Sequence, residues 1–304
     1  MIYNKPPLSI PDQAQLLLDR GLICDDRLRL ERYISSIGYY RLSAYCLPFE
    51  QKSSNETRNH QFIPNTDFDQ ILDLYIFDRQ LRLLVMEAIE RIEVALRSLW
   101  SSAFALDAKN SHAYLEPSFF KCSRQHIRSL AKIDQAFENS HEVFIAHYKK
   151  NYTTPQLPPI WAVVETMTLG ALSRWFENTN SSNAKKTIAK AFNMPTVDVA
   201  EKVFHALTPV RNVCAHHSRL WNRRFVLSLP HIKRFSASLV PQNSKHHQEH
   251  YLYNYLVIMA ILMDAINPES SWKSRLITLL STVATNQQKA MGFPVGWQYF
   301  PIWH

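Results

Sequence analysis

A chain of 304 residues with only 5 Gly, and with 34 Lys+Arg against 26 Asp+Glu for a formal charge of +8, excludes several function classes at once. Average usage, about 7% Gly, would supply roughly four times as many. The five present (Gly21, Gly38, Gly170, Gly292 and Gly296) spell neither GxGxxG nor GxxxxGK, so no glycine loop is available to cradle a nucleotide phosphate.

Hairpin-rich β architectures, which need Gly or Asn at positive φ, are disfavoured too, and the expected fold class is all-α, punctuated by 16 Pro. Hydrophobic residues at 46% and charged residues at 20% describe a globular chain whose basic balance favours a polyanion partner. The start, MIYNKPPLSIPDQ, lacks the apolar stretch of a secretory signal. The most apolar late stretch, residues 251–266, is interrupted by Asn254 and Asp264 and is shorter than the roughly 20 residues a spanning helix needs. Cys24, Cys46, Cys122 and Cys214 lie far apart with no CxxC pair, which reads as free thiols in a reducing compartment. The expectation is a cytoplasmic protein without membrane association.

In chain order, Ser9 caps a helix running from Pro11 through Leu16, Leu17 and Leu18 to a stop at Gly21. Residues 25–36 form a basic amphipathic helix, with Arg27, Arg29 and Arg32 set against Leu28, Leu30 and Ile34. Gly38 separates it from a helix over 39–47, and the polar stretch 51–60 reads as a loop. The clearest helical period fills 67–105, with apolar residues at Ile71, Leu74, Leu81, Val85, Ala88, Ile92, Leu96 and Leu99. Unbroken, it would be about 58 Å long, long for a globular helix, which leaves room for a kink or a break. Glu87/Arg91 and Glu93/Arg97 are i,i+4 pairs in the favourable order.

Further helices are predicted over 123–139, 142–151, 160–178, 181–192, 196–206, from Thr208 onward, 250–266 and 270–289. The tail 292–304, rich in Pro and Trp, reads as irregular packed structure. Residues 1–60 form an N-terminal helical subdomain and 61–304 the main helical domain, unless 1–304 is one continuous domain.

Residues 208–224, TPVRNVCAHHSRLWNRR, carry the chemistry. Thr208 reads as an N-cap and Pro209 as the first helical residue, which puts Arg211 and Asn212 at a helix start that favours an anion. Projected with Asn212 at zero, His216, Arg219 and Arg223 fall at about 40°, −20° and 20° on one face. His217 falls among Val210, Val213, Cys214, Leu220 and Trp221 and reads as a packing residue. Arg211 lies to the side, near about −100°, and would reach the same phosphate by its length or across a dimer seam.

Arg, Asn and His in this pattern suit RNA cleavage without a metal. A guanidinium holds the scissile phosphate and stabilises its developing charge, while an imidazole moves protons to or from the 2′-hydroxyl or the leaving 5′-oxygen. Arg211, Asn212 and His216 are therefore the candidate catalytic residues. Arg219, Arg223 and Arg224, with Lys185 and Lys186 of the 181–192 helix, form the candidate RNA-binding surface. Neither metal nor cofactor is expected. His141 and His147 are six apart and share no helix face for zinc, and His246/His250 at i,i+4 read as a solvated surface cluster. Tyr39, Tyr40 and Tyr45 read as helical packing rather than base-stacking residues.

Five segments, in order along nearly the whole chain, carry a resemblance. They are KPPLSIPDQAQLLLDRGL, YISSIGYYRLSAYCLPF, FDQILDLYIFDRQLRLLVMEAIERIEVALRS, RNVCAHHSRLWNR and MGFPVGWQYFPIW. Together they resemble the Abi-type abortive-infection proteins (the AbiD/AbiF group) of bacterial phage defence. The resemblance implies a HEPN-type helical fold, whose R-x4–6-H motif serves metal-independent endoribonucleases. By position Arg211 and His216 would be the motif Arg and His, with His217 also fitting the loose spacing. It further implies a homodimer and, in some members, a structured non-coding RNA as restraining partner. Two functions are thus expected as alternatives: a phage-defence endoribonuclease toxin, or a non-catalytic RNA-binding defence or regulatory protein holding a structured RNA.

Overall fold

The computed structural model describes residues 6–51 and 58–304. Among these, thirteen α-helices linked by short 3-10 turns make up the fold, and the strand-like contacts are three isolated bridge pairs: Ile23 with Asp67, Glu50 with Phe62, and Phe120 with Thr179. The protein is all-α. It divides into two compact units, Met1–Leu81 and Arg82–His304.

In the first unit, Ser9 caps α1 (Ile10–Asp19) by accepting from the Asp12 N–H at 3.3 Å, and Asp26 caps α2 (Arg27–Ile37) by accepting from Arg29 N–H at 2.8 Å. Gly38, at φ 87°, ends α2 and opens α3 (Tyr39–Cys46). A residue with a side chain would be strained at that φ. Arg27, Arg29 and Arg32 are tied to Glu31, Asp69 and Asp26, which makes this basic helix a locally neutralised face. Tyr45 is buried and donates to the buried Asp78 carboxylate at 2.5 Å, while Tyr40 is exposed. Of the expected loop 51–60, residues 52–57 lie outside the described residues. Helix α4 (Phe68–Ala108) runs 41 residues without a break, its stripe from Ile71 to Leu96 fully buried.

The second unit holds α4 from Arg82 onward, with α5 (Ser123–Asn139), α6 (Val143–Asn151), α7 (Ile160–Val163), α8 (Leu169–Asn178), α9 (Ser182–Ala191), α10 (Val197–Ala215), α11 (Leu252–Ile266), α12 (Trp272–Leu280) and α13 (Thr285–Lys289). Helix α11 is buried on all sides, which is what a helix hydrophobic all round requires. Its one buried amide, Asn254, accepts from Val240 N–H and donates to Val240 O, each at 2.9 Å. Trp272 anchors α12 by donating to Leu84 O at 2.7 Å. The tail packs through Phe293, Trp297 and Trp303, with ring centroids 5.0 and 5.6 Å apart. No disulfide joins the cysteines, and no helix among the described residues is long and apolar enough to cross a membrane.

Two predicted helices are each divided. Residues 160–178 break at Met167, because the Thr168 hydroxyl caps a new start at Ala171 N–H and the Arg97 guanidinium takes the Met167 carbonyl at 2.6 Å. Residues 270–289 break after Leu280, and the Gln288 side chain closes the gap by donating to Leu280 O and Val283 O.

Helices α8 and α10 pack at Gly170, where an added Cβ would lie 2.8 Å from the Thr208 Cγ2. Gly170→Ala is expected to cost about 1–3 kcal/mol as an overpacked contact. Thr208→Ser in the same chain, which removes that methyl, should recover most of it. Thermal melts of the two variants and the double variant test this; equal loss with and without Thr208→Ser would place the strain elsewhere.

Candidate functional site

The motif lies on α10, but not where a Thr-Pro start would put it. Thr196 is the cap, accepting from Val199 N–H at 3.2 Å, and the helix runs through Pro209. Thr208 is mid-helix, its hydroxyl bonded back to Phe204 O. Pro209 has no N–H to give the His205 carbonyl, a loss the helix absorbs because one apolar face runs uninterrupted through Val203, Leu207, Val210 and Cys214. Arg211 and Asn212 therefore sit in the last turns, where the helix dipole no longer favours an anion. The expected phosphate site at a helix N-terminus is not formed.

His216 is the residue on which α10 ends. The His217 N–H bonds Cys214 O at 3.0 Å and the Ser218 N–H bonds Val213 O at 2.9 Å, the paired closure of a Schellman turn. His217 takes the left-handed position at φ 54°. It is exposed, not packed into the apolar stripe, because the helix that would have turned it inward stops one residue earlier. Beyond the turn, Leu220 and Trp221 are buried, and the Arg219 guanidinium lies 5.9 Å from the Trp221 ring.

The turn nevertheless gathers much of the motif. A cleft of about 460 Å³ is lined by His205, Asn212, His216, Arg223 and Arg224, with Phe225 in its wall and no carboxylate among its lining residues. Arg223 and Arg224 are exposed. The backbone of Phe225 is tied to His250 by an N–H to O bond of 2.8 Å.

Arg211 stands outside this cleft. Its Nε is buried without a hydrogen-bond partner, 3.9 Å from Oε2 of the buried Glu93. Glu93 is also held by Arg97, which reaches Glu165 at 3.3 Å as well. One carboxylate thus serves two guanidiniums.

Of the two lysines, Lys186 is exposed on α9 but Lys185 is not a surface cation. Its side chain is 4% exposed and bonds Glu201 and the Glu177 carbonyl, each at 2.6 Å. Burial holds its pKa down at about 8 against the pull of Glu201. The sequence expectation that Lys185 tracks phosphate is corrected here: Ala184 and Ile188 bury the same side of a ten-residue helix and carry Lys185 inward with them.

A second, larger cleft was not anticipated. About 740 Å³ in volume, it is lined by Arg124, Arg128 and Lys132 of α5 and Arg174 of α8, and His205 lies on its edge as well as on that of the motif cleft. All four cations are exposed. The spacing of Arg124, Arg128 and Lys132 at i, i+4 and i+8 was the available signal, since it places them on one helix face.

No curated protein and no solved structure matches the chain. A sequence model of Abi-like proteins matches residues 32–222, well over half the chain and including α4, α10 and the whole motif turn. The chain belongs to the Abi-like family, the abortive-infection proteins of phage defence.

Proposed function

We propose that this Abi-like protein acts in phage defence as a metal-independent endoribonuclease, with the cleft at the end of α10 as its active site. The observation that carries the reading is the convergence of Asn212, His216, Arg223 and Arg224 on one cleft free of lining carboxylates. A phosphodiester placed there meets guanidiniums able to bind it in bidentate fashion and no like charge to repel it. His216 takes the proton from the 2′-hydroxyl, whose oxygen attacks phosphorus as the bond to the 5′-oxygen breaks. A second imidazole, His205, stands on the same cleft to protonate that leaving oxygen. Asn212 orients the imidazole or a phosphate oxygen.

The basic cleft of α5 and α8, meeting the site at His205, guides the strand. A homodimer, as the family resemblance implies, gives Arg211 a route to a phosphate in the other copy's cleft. Cleavage of mixed single-stranded RNAs in EDTA, leaving 2′,3′-cyclic phosphate and 5′-hydroxyl ends while DNA stays intact, is the expected result. Intact RNA, or products with 3′-hydroxyl ends, overturns the mechanism.

Strand guidance has its own readout. Arg128→Glu and Arg174→Glu should weaken RNA binding in every sequence tested and flatten its salt dependence by about 0.7 per lost phosphate contact. An unchanged slope of log K against log salt removes the α5–α8 cleft from the path.

The position of Arg211 outside the cleft favours a second reading, in which the protein holds a structured non-coding RNA without cutting it. RNA then co-purifies intact, and Arg219 or Arg223 substitutions release it.

A further inference from the structure

We propose that His247, Glu249 and His250 form a zinc-binding site that ties the Lys245–His250 turn to the wall of the motif cleft. The turn is a 3-10 helix rather than an α-helix, with the Ser244 hydroxyl accepting from Gln248 N–H at 2.8 Å. Side chains three apart eclipse in that geometry. His247 and His250 therefore face each other, ring centroids 6.2 Å apart.

Between them lies the buried carboxylate of Glu249. Its Oε1 is 3.6 Å from His247 Nδ1 and 4.0 Å from His250 Nε2, and one ligand atom from each of the three residues lies within 4.8 Å of the others. Zinc bonds of about 2.0–2.1 Å give tetrahedral ligand-to-ligand edges of about 3.3 Å. Small ring rotations bring the three donors to that spacing.

The surrounding hydrogen bonds fix which atoms face the centre. The Phe225 carbonyl can only accept, so the 3.1 Å contact to His250 Nδ1 places a ring hydrogen there and turns Nε2 toward Glu249. Glu249 in turn is oriented by the Ser244 hydroxyl and, at 3.1 Å, by the Asn243 N–H. Nε2 thus faces the carboxylate across 4.0 Å, and a carbonyl behind a ligating imidazole is the usual support of a zinc ligand. Two imidazoles and a carboxylate suit zinc rather than magnesium or calcium. His247 is exposed, so the fourth coordination position opens to water. Because His250 and Phe225 exchange two hydrogen bonds, an ion held here fixes the backbone next to Arg223 and Arg224.

The test uses the full chain, stripped with a chelator, desalted and titrated with ZnCl2. One zinc per chain should survive gel filtration, and the melting temperature should rise by about 5 °C once zinc is a hundredfold above its dissociation constant, with no response to MgCl2. His247→Ala, at an exposed position, and Glu249→Gln, whose amide oxygen can still accept from the Asn243 N–H while its NH2 donates to the Ser244 hydroxyl, should each weaken zinc binding at least about tenfold while keeping the helical circular dichroism. Zinc well below one per chain, or equal binding by these variants, overturns the proposal. His216→Ala should bind zinc as wild type does, so a failed zinc site and a failed nuclease are told apart.

Discussion

Replacing His216 by alanine is expected to slow RNA cleavage by about 10²–10⁴-fold, the range that a positioned general acid or base contributes. The loss corresponds to about 3–5 kcal/mol of transition-state stabilisation. The fold should hardly register the change, because the side chain is exposed at the end of α10 and changes at such sites stay within about 0.5 kcal/mol. RNA should still bind through Arg223 and Arg224, and growth arrest on expression should disappear with cleavage. The neighbouring histidine supplies the contrast. His217 holds a left-handed position that glycine adopts without steric cost, so His217→Gly should leave cleavage intact and stabilise the protein by up to about 1 kcal/mol. Single-turnover rates and melts of both variants decide between them. Loss of cleavage in His217→Gly with activity retained in His216→Ala would transfer the catalytic role to His217.

The largest loss of stability is expected from Glu93→Ala. The buried carboxylate compensates both Arg97 and Arg211, whose Nε atoms are already buried without hydrogen-bond partners. Its removal takes the carboxylate from Arg211 and leaves Arg97 with Glu165 as its remaining acidic partner, in a part-buried site. Breaking such a pair from one side costs about 3 kcal/mol, or about 6–12 °C in melting temperature for a chain of this size. Arg211→Ala should cost clearly less, since Glu93 keeps Arg97 and one of the competing charges is gone. The pair of melts is diagnostic. If Arg211→Ala destabilises as much as Glu93→Ala, Arg211 is a structural member of the network. If it melts near wild type yet abolishes cleavage, its role is in the chemistry, met through a second copy of the chain.

Where a signal was local, it was legible. Ser9 bonds the N–H group its cap requires, and the period from Ile71 to Leu96 became one buried stripe because nothing in α4 interrupts it. The motif helix shows the limit. Thr-Pro is a good start signal in isolation, but α10 was already under way, and the burial of Val203, Leu207 and Val210 outweighed the hydrogen bond lost at Pro209. The end was equally hidden. A Schellman turn commonly announces itself with Gly or Asn, and here His217 occupies the left-handed position, so a projection continued past residue 215 placed Arg219 and Arg223 on a helix that does not exist. Asn212, His216 and Arg223 still meet, brought together by the turn instead of by helical periodicity. Lys185 could not be sorted from Lys186 by charge alone; the buried Ala184 and Ile188, one residue before it and three after, decide which one turns inward.

The wall of the motif cleft also sets an order of events during synthesis. Phe225 packs against Tyr255 with ring centroids 4.8 Å apart and the rings tilted by 49°, and the Tyr255 hydroxyl donates to the Leu227 carbonyl. Both anchoring groups lie on α11, some thirty residues downstream of the wall they hold. A ribosome has already made Asn212 and His216 well before it makes the helix that shapes their surroundings. A nascent chain, or one cut short by a stop codon before α11, therefore carries the motif without its cleft. The wall of the cleft gains this anchor only once translation has passed Tyr255.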